Sequence, residues 1–234
     1  MKQDESGNDP STDGAEGTAW PRGFDGLVDC LRTVYEAPGS DATSQPLRLT
    51  DLGVWLPTPF AALTSMLPLF ASRRLWQDLP EPVTIFDAGA GDGRMLAYLA
   101  GIRQRLGHTG RNLRIYGMES DTDLLRVAHQ RHDSLLSKGH PIGDGLLHGD
   151  YLDPESYEES SLNLESIDLF LNYPDGNEQT LANLLATSAR PGTRLCFTTG
   201  EATFSVSGLT RRAVFEIPLE GAAPIGWHLS VYER

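Results

Sequence analysis

From Val83 onward, short apolar runs alternate with helical segments, and the last two runs follow each other without a helix between them. Strands fit residues 84–88, 113–118, 145–148, 167–171 and 194–198, and helices fit 93–106, 122–136 and 178–189. Parallel neighbours need a crossover, usually a helix, so this alternation predicts a parallel sheet covered on both faces. The closing runs, "RRAVFEIP" and "GWHLSVYER", are joined by a Gly/Pro-rich link and read as an antiparallel hairpin. The expected fold is α/β, a seven-stranded sheet that is mostly parallel and ends in that hairpin.

The segment before the sheet is helical in pattern. Phe24, Leu27, Val28, Leu31, Val34 and Tyr35 fall on one helical face. Residues 38–46 read as a loop. Thr58-Pro59 has the form of an N-cap followed by a first-turn proline, opening a second helix through "FAALTSMLPLF" that Pro68 should bend or end. The first residues are polar and acidic. The expected organisation is a disordered acidic tail over 1–19, helices packed on the core over 20–80, and a ligand-binding domain over 81–234.

Composition excludes several classes. The 234 residues suffice for one large domain with a full core. A formal net charge of -13 argues against broad contact with nucleic acid, which needs a basic face. The most apolar stretch, 54–70, is broken by Pro57, Pro59 and Pro68, so no membrane span is expected. Cys30 and Cys196 are the only cysteines, which fits neither a disulfide framework nor a zinc site, and a cytoplasmic location is the expectation. His129 and His132 stand one helical turn apart, but with Gln130 and Arg131 between them they read as a solvated helix face. No metal is expected.

The chemistry concentrates in "IFDAGAGDGR", a strand leading into a turn with glycine at 89, 91 and 93. Such a turn after the first strand of an open α/β sheet lets a ligand approach backbone with no Cβ in the way. A dinucleotide fingerprint, G-x-G-x-x-G, is not matched, because position 94 is Arg94. Asp87, two residues before the first glycine, would repel a pyrophosphate and suits a cationic ligand.

"DAGAGDG" resembles motif I of the class I S-adenosylmethionine-dependent methyltransferases. The resemblance implies a Rossmann-like doubly wound fold with S-adenosyl-L-methionine as cofactor. It also implies that Asp87, Ala88, Gly89, Gly91 and Gly93 cradle the cofactor's methionine part. Glu119, ending "LRIYGMES", then corresponds to the acid on the ribose hydroxyls, with Ser120 beside it, although a strand-terminal acid and Ser120-Asp121 also make ordinary helix caps. Asp150 and Tyr151, ending "GLLHGDYLD", correspond to the adenine contacts, or form a plain turn. "IDLFLNYPDG" is similar in part to motif IV, which places Asn172 and Tyr173 by the transferring methyl group; the sequence here is Asn-Tyr-Pro-Asp where amino-methylating members often have Asn/Asp-Pro-Pro-Tyr/Phe. Asp175 can assist proton loss or be only a turn acid. Upstream, "GVWLPTPFAALTSML" is similar to a segment of the Dot1-like and FAM173-type protein-lysine methyltransferases. The resemblance thus implies methyl transfer to a nitrogen, of protein lysine or a small-molecule amine, or to an oxygen. An idle methyltransferase fold serving as a binding or regulatory subunit, and a nucleotide-dependent oxidoreductase, are the competing readings.

Overall fold

A computed structural model describes residues 24, 26–36, 48–50, 53–200, 202, 204–218 and 227–234. In chain order the elements are α1 (Leu27–Tyr35), β1 (Arg48–Thr50), β2 (Gly53–Trp55), α2 (Phe60–Ala71), β3 (Val83–Ala88), α3 (Arg94–Leu106), β4 (Leu113–Glu119), α4 (Thr122–Ser137), β5 (Gly145–His148), α5 (Pro154–Glu159), β6 (Leu169–Asn172), α6 (Glu178–Ser188), β7 (Arg194–Thr199), β8 (Thr210–Ile217) and β9 (Trp227–Glu233). The tail expected over 1–19, the loop over 38–46 and most of the Gly/Pro-rich link before β9 lie outside the described residues.

Seven strands form one sheet in the order β5-β4-β3-β6-β7-β9-β8. The first five are parallel, and β9 runs antiparallel to both β7 and β8. Strand order reverses at β3 and β6, where Ala88 pairs with Asn172. The two motifs read from sequence at the ends of these strands therefore meet at the topological switch point, where open sheets of this type bind ligands.

Alternation along the strands builds two cores. Ile85, Ile115, Leu169, Leu171 and Cys196 face one side, where α1, α2 and α3 pack; Phe86, Met118, Phe170, Leu195 and Phe197 face the other, with Tyr157 of α5 and Leu181 and Leu185 of α6. Each fully buried large side chain of this kind contributes about 1.5–3 kcal/mol. The helical face predicted for the first helix is the buried one, since Leu27, Val28, Leu31, Val34 and Tyr35 are all inside.

Two local expectations need correction. Pro59, not Thr58, is the N-cap of α2, and no side chain caps it. Thr58 is one position outside the helix and buried, with its carbonyl accepting from Arg94 Nη1 at 2.9 Å. The helix also runs past Pro68 and ends at Ala71, so the proline sits inside its last turn. Its missing N–H costs little there because the packing of Leu63, Met66, Leu67 and Phe70 holds the helix.

Candidate functional site

The turn after β3 is built from residues that must adopt positive φ: Gly89 at 77°, Gly91 at 56° and Gly93 at 76°. Side chains disfavour this region, which is why the turn is glycine at these positions. The N–H groups of Gly89 and Ala90 both donate to the Met118 carbonyl, at 3.1 and 2.8 Å, folding the turn onto the end of β4. Gly91 N–H donates to Glu119 Oε2 at 2.7 Å.

The three glycines answer to different neighbours. A Cβ on Gly91 would lie 2.0 Å from Trp55 Nε1, and one on Gly93 would lie 2.7 Å from His132 Nε2. Gly89 is the roomier position: a Cβ there would meet Tyr151 Cε1 at 3.4 Å and Asp175 Oδ2 at 3.5 Å. Gly89 lines a cleft together with Glu119, Ser120, Tyr151, Tyr173 and Asp175, under the β1–β2 hairpin. Of the sequence-predicted residues, Asp87 and Asn172 are buried at the strand ends beside this cleft, and Gly93 turns away from it toward α4. Asp150 is held in its own turn, with Oδ1 accepting from Leu152 N–H at 2.8 Å.

The two acids of the turn differ in their surroundings. Asp92 is 1% exposed and sits between two buried arginines. Arg94 Nε reaches Asp92 Oδ1 at 3.0 Å and its Nη2 reaches Oδ2 at 2.6 Å, while Arg131 Nη1 donates to the same Oδ2. Both guanidinium groups stack on Tyr35, at 5.4 and 4.7 Å from its ring centre, which ties α1 to the turn and to α4. Asp87 is 6% exposed and, among the described residues, has neither an ion pair nor a hydrogen bond to its carboxyl. Burial, then the nearby Glu119 and Asp92 carboxylates, push its pKa well up.

The expectation of a solvated helix face holds for His129 and Gln130, which are exposed, and fails for Arg131 and His132. Both are buried, Arg131 on Asp92 and His132 beneath the turn, where Nε2 donates to the Gly93 carbonyl at 3.1 Å. Burial lowers the His132 pKa, so the ring is a neutral packing and hydrogen-bonding group. The partners that bury these two residues come from the glycine turn, far away in sequence, which helical periodicity does not register. Among the described residues no three His, Cys, Asp or Glu side chains gather as a metal site.

Glu119 is also buried, and it accepts from Gly91 N–H and, through Oε1, from Asp121 N–H at 2.8 Å. Burial raises its pKa while those two N–H groups hold it down. These bonds engage part of its roughly four acceptor positions, and its side chain borders the cleft. Asn172 donates through Nδ2 to the Ala88 carbonyl at 3.0 Å and to Asp175 Oδ2 at 3.4 Å, and its Oδ1 is buried with no partner among the described residues. Tyr173 leans on Trp227 with ring centres 5.4 Å apart. The hydroxyl of Tyr151 donates to Asp175 Oδ2.

The sequence reading missed the hairpin. Arg48 pins one end to Asp121 and Asp123, at 3.0 and 3.2 Å, and Val54 N–H donates to the Asp175 carbonyl at 3.3 Å. Trp55 is thereby laid against Gly91. Three-residue strands with no apolar alternation carry no local signal; a tryptophan between Gly53 and Pro57 was the one available hint.

This sheet order and helix placement define the class I S-adenosylmethionine-dependent methyltransferase fold. A putative enzyme of that class from Listeria monocytogenes superposes over 89% of this chain and 67% of its own with a TM-score of 0.58, at 14% identity. The rRNA methyltransferase AviRa from Streptomyces viridochromogenes matches over 87% and 96% at a TM-score of 0.52 and 14% identity. TrmN from Thermus thermophilus matches over 77% and 55% at 0.51 and 17% identity. At such identities the likeness establishes the fold. No protein-family model matches the sequence, and no curated protein sequence does. The narrower Dot1-like similarity before β3 stays a resemblance of sequence. Among the described residues no helix is long and apolar enough to cross a membrane.

Proposed function

We propose that the chain is an S-adenosylmethionine-dependent methyltransferase acting in the cytoplasm. The observation that carries the reading is Asp87. Among the described residues it is a buried carboxyl without a cation, leading into a turn with three glycines at the switch point of a methyltransferase fold. An unpaired buried carboxyl is costly, and a cationic ligand offsets that cost. The remaining polar set fits the same cofactor: Asp87 and Gly89 for its methionine part, Glu119 with Ser120 for the ribose, Asp150 and the Tyr151 backbone for adenine. Asn172 Oδ1, buried without a partner among the described residues, would be the acceptor beside the methyl group.

Bound there, the cofactor supplies an electrophilic methyl group. The chain's task is to hold an acceptor lone pair in line with it at about 3 Å and to exclude water. An amine acceptor, with a free pKa near ~10.4, must first lose a proton. The apolar ring pair Tyr173–Trp227 lowers the polarity around such an amine, and the acceptor we favour is a nitrogen of protein lysine or of a small molecule. An oxygen acceptor would need a base in the same place.

Calorimetry with S-adenosylmethionine, S-adenosylhomocysteine and NAD tests the cofactor. Selective binding of NAD would remove the methyltransferase reading in favour of an oxidoreductase. Incubation with a radiolabelled methyl donor and fractionated lysate tests the acceptor. Label is expected in protein or small molecules, and the RNA fraction is included because AviRa, which shares the fold, is an rRNA methyltransferase. The idle-fold reading draws on Trp55, which already lies on Gly91. Cofactor binding with no label in any fraction would favour it.

A further inference from the structure

We propose that Asp175 is a cofactor-recognising residue that faces the sulfonium charge, so that the cleft selects the cationic methyl donor over its neutral-sulfur product. The proposal rests on the methyltransferase reading above and adds a residue outside the glycine turn to it.

The geometry starts at Gly89. Asp175 Oδ2 stands 3.5 Å from the position of a Cβ on Gly89, so this carboxyl hangs over the part of the turn that is open to the cleft. Its position is set from several directions. Tyr151 Oη and Asn172 Nδ2 donate to Oδ2, and Asn177 N–H donates to Oδ1 at 3.0 Å. Asn177 Nδ2 in turn donates to the Tyr151 oxygen at 3.3 Å. These donors favour the ionised carboxylate, yet among the described residues none of its partners is a cation. A carboxylate fixed by neutral donors in a half-buried cleft keeps its charge directed at whatever enters.

Charge matching assigns its partner. Among the described residues Asp87 and Asp175 are two carboxyls without a cation; Asp87 precedes Gly89 by two residues and Asp175 Oδ2 stands over it. The third acid of the turn region, Asp92, is already neutralised by Arg94 and Arg131. S-adenosylmethionine carries two positive centres close together, the α-ammonium and the sulfonium. With Asp87 facing the methionine end, Asp175 is left for the sulfonium. It comes from the β6–α6 turn, beside Asn172, where the methyl group would lie. Loss of the methyl group removes that charge, so the product keeps the Asp87 interaction and loses the Asp175 one.

The test compares three ligands on the full-length wild-type chain and on Asp175→Asn by titration calorimetry. The ligands are S-adenosylmethionine, S-adenosylhomocysteine, and sinefungin, which carries a protonated amine where the methyl donor has its sulfonium. The wild type should bind both cationic ligands more tightly than S-adenosylhomocysteine. Asp175→Asn, which keeps the shape and an acceptor for Tyr151, should weaken both cationic ligands about tenfold or more while changing S-adenosylhomocysteine less than about threefold. Equal losses for all three would overturn the assignment of Asp175 and leave the methyltransferase reading standing. A wild type that binds S-adenosylhomocysteine as tightly as both cations overturns it without any variant, which covers the case of a variant that does not fold. If the wild type binds none of the three, the cofactor reading itself falls and the proposal goes with it.

Discussion

Asp87 and Asp92 stand at opposite ends of one glycine turn, are buried to nearly the same extent, and have opposite electrostatic surroundings. Asp92 is clamped by two arginines that also stack on Tyr35. Among the described residues Asp87 has no ion pair, and burial and the Glu119 and Asp92 carboxylates push its pKa up. The difference separates two uses of a buried carboxyl. One is satisfied inside the protein and fastens α1, the turn and α4 together. The other has no cation beside it among the described residues, and the proposed function gives it a positive ligand.

Substitutions at the two acids should therefore dissociate stability from binding. Asp92→Asn leaves two buried guanidinium groups without their counter-charge and should cost about 3–5 kcal/mol in urea unfolding, the largest effect expected. Asp87→Asn should leave the urea midpoint unchanged or higher, because it removes an unpaired buried charge, while calorimetric binding of S-adenosylmethionine falls below detection. Equal destabilisation by both changes would erase the distinction. Glu119→Ala is expected to weaken cofactor binding by about 1–3 kcal/mol through unpaired ribose hydroxyls, and to lower stability as well, because Gly91 N–H and Asp121 N–H lose their acceptor. Unaltered affinity would remove Glu119 from the site.

The smallest effect concerns pH. Asp87, Glu119 and Asp175 all have pKa values raised by burial. A group whose folded pKa lies above its unfolded value binds its proton more readily in the folded state, so it stabilises most below the unfolded pKa and less as pH rises through the folded one. The melting temperature of the ligand-free protein should thus rise as pH falls from 7 toward the ordinary aspartate value of 3.8. The same scan with saturating S-adenosylmethionine should show a flatter profile, since the bound cation favours the ionised acids. Asp78 and Glu233, whose pKa values are lowered by Arg194 and Arg212, oppose this rise with a loss of stability that begins as pH nears their ordinary values of 3.8 and 4.5. Parallel profiles with and without ligand would argue against a cation in the cleft.

The glycines sharpen the same lesson about legibility. The sequence pattern located all three, and the positive φ at Gly89, Gly91 and Gly93 is the local reason. What each glycine makes room for was not legible. Gly91 yields to Trp55, Gly93 to His132, and Gly89 to the open cleft. The cofactor-site candidates Gly89, Glu119, Ser120 and Tyr151 converge on one cleft with Tyr173, because β3, β4, β5 and β6 are parallel and end on the same side. Asp150 is not among the residues lining that cleft; its Oδ1 accepts from Leu152 N–H in the turn that leads into α5, and Oδ2 is the oxygen left for the adenine contact proposed above.

Periodicity, turn glycines and the absence of a helix before the last strand are local properties, set by the reach of a few residues along the chain. From them the sequence alone determined the sheet, its closing antiparallel hairpin and the place of the ligand turn. Which acid is neutralised is a non-local matter. Arg131 reaches Asp92 from α4 and Asp175 reaches Gly89 from the end of β6, and only the packed sheet brings those charges within a few ångströms. Electrostatic energy depends on distance in space, so which carboxylate finds a cation within the protein was decided by the tertiary structure.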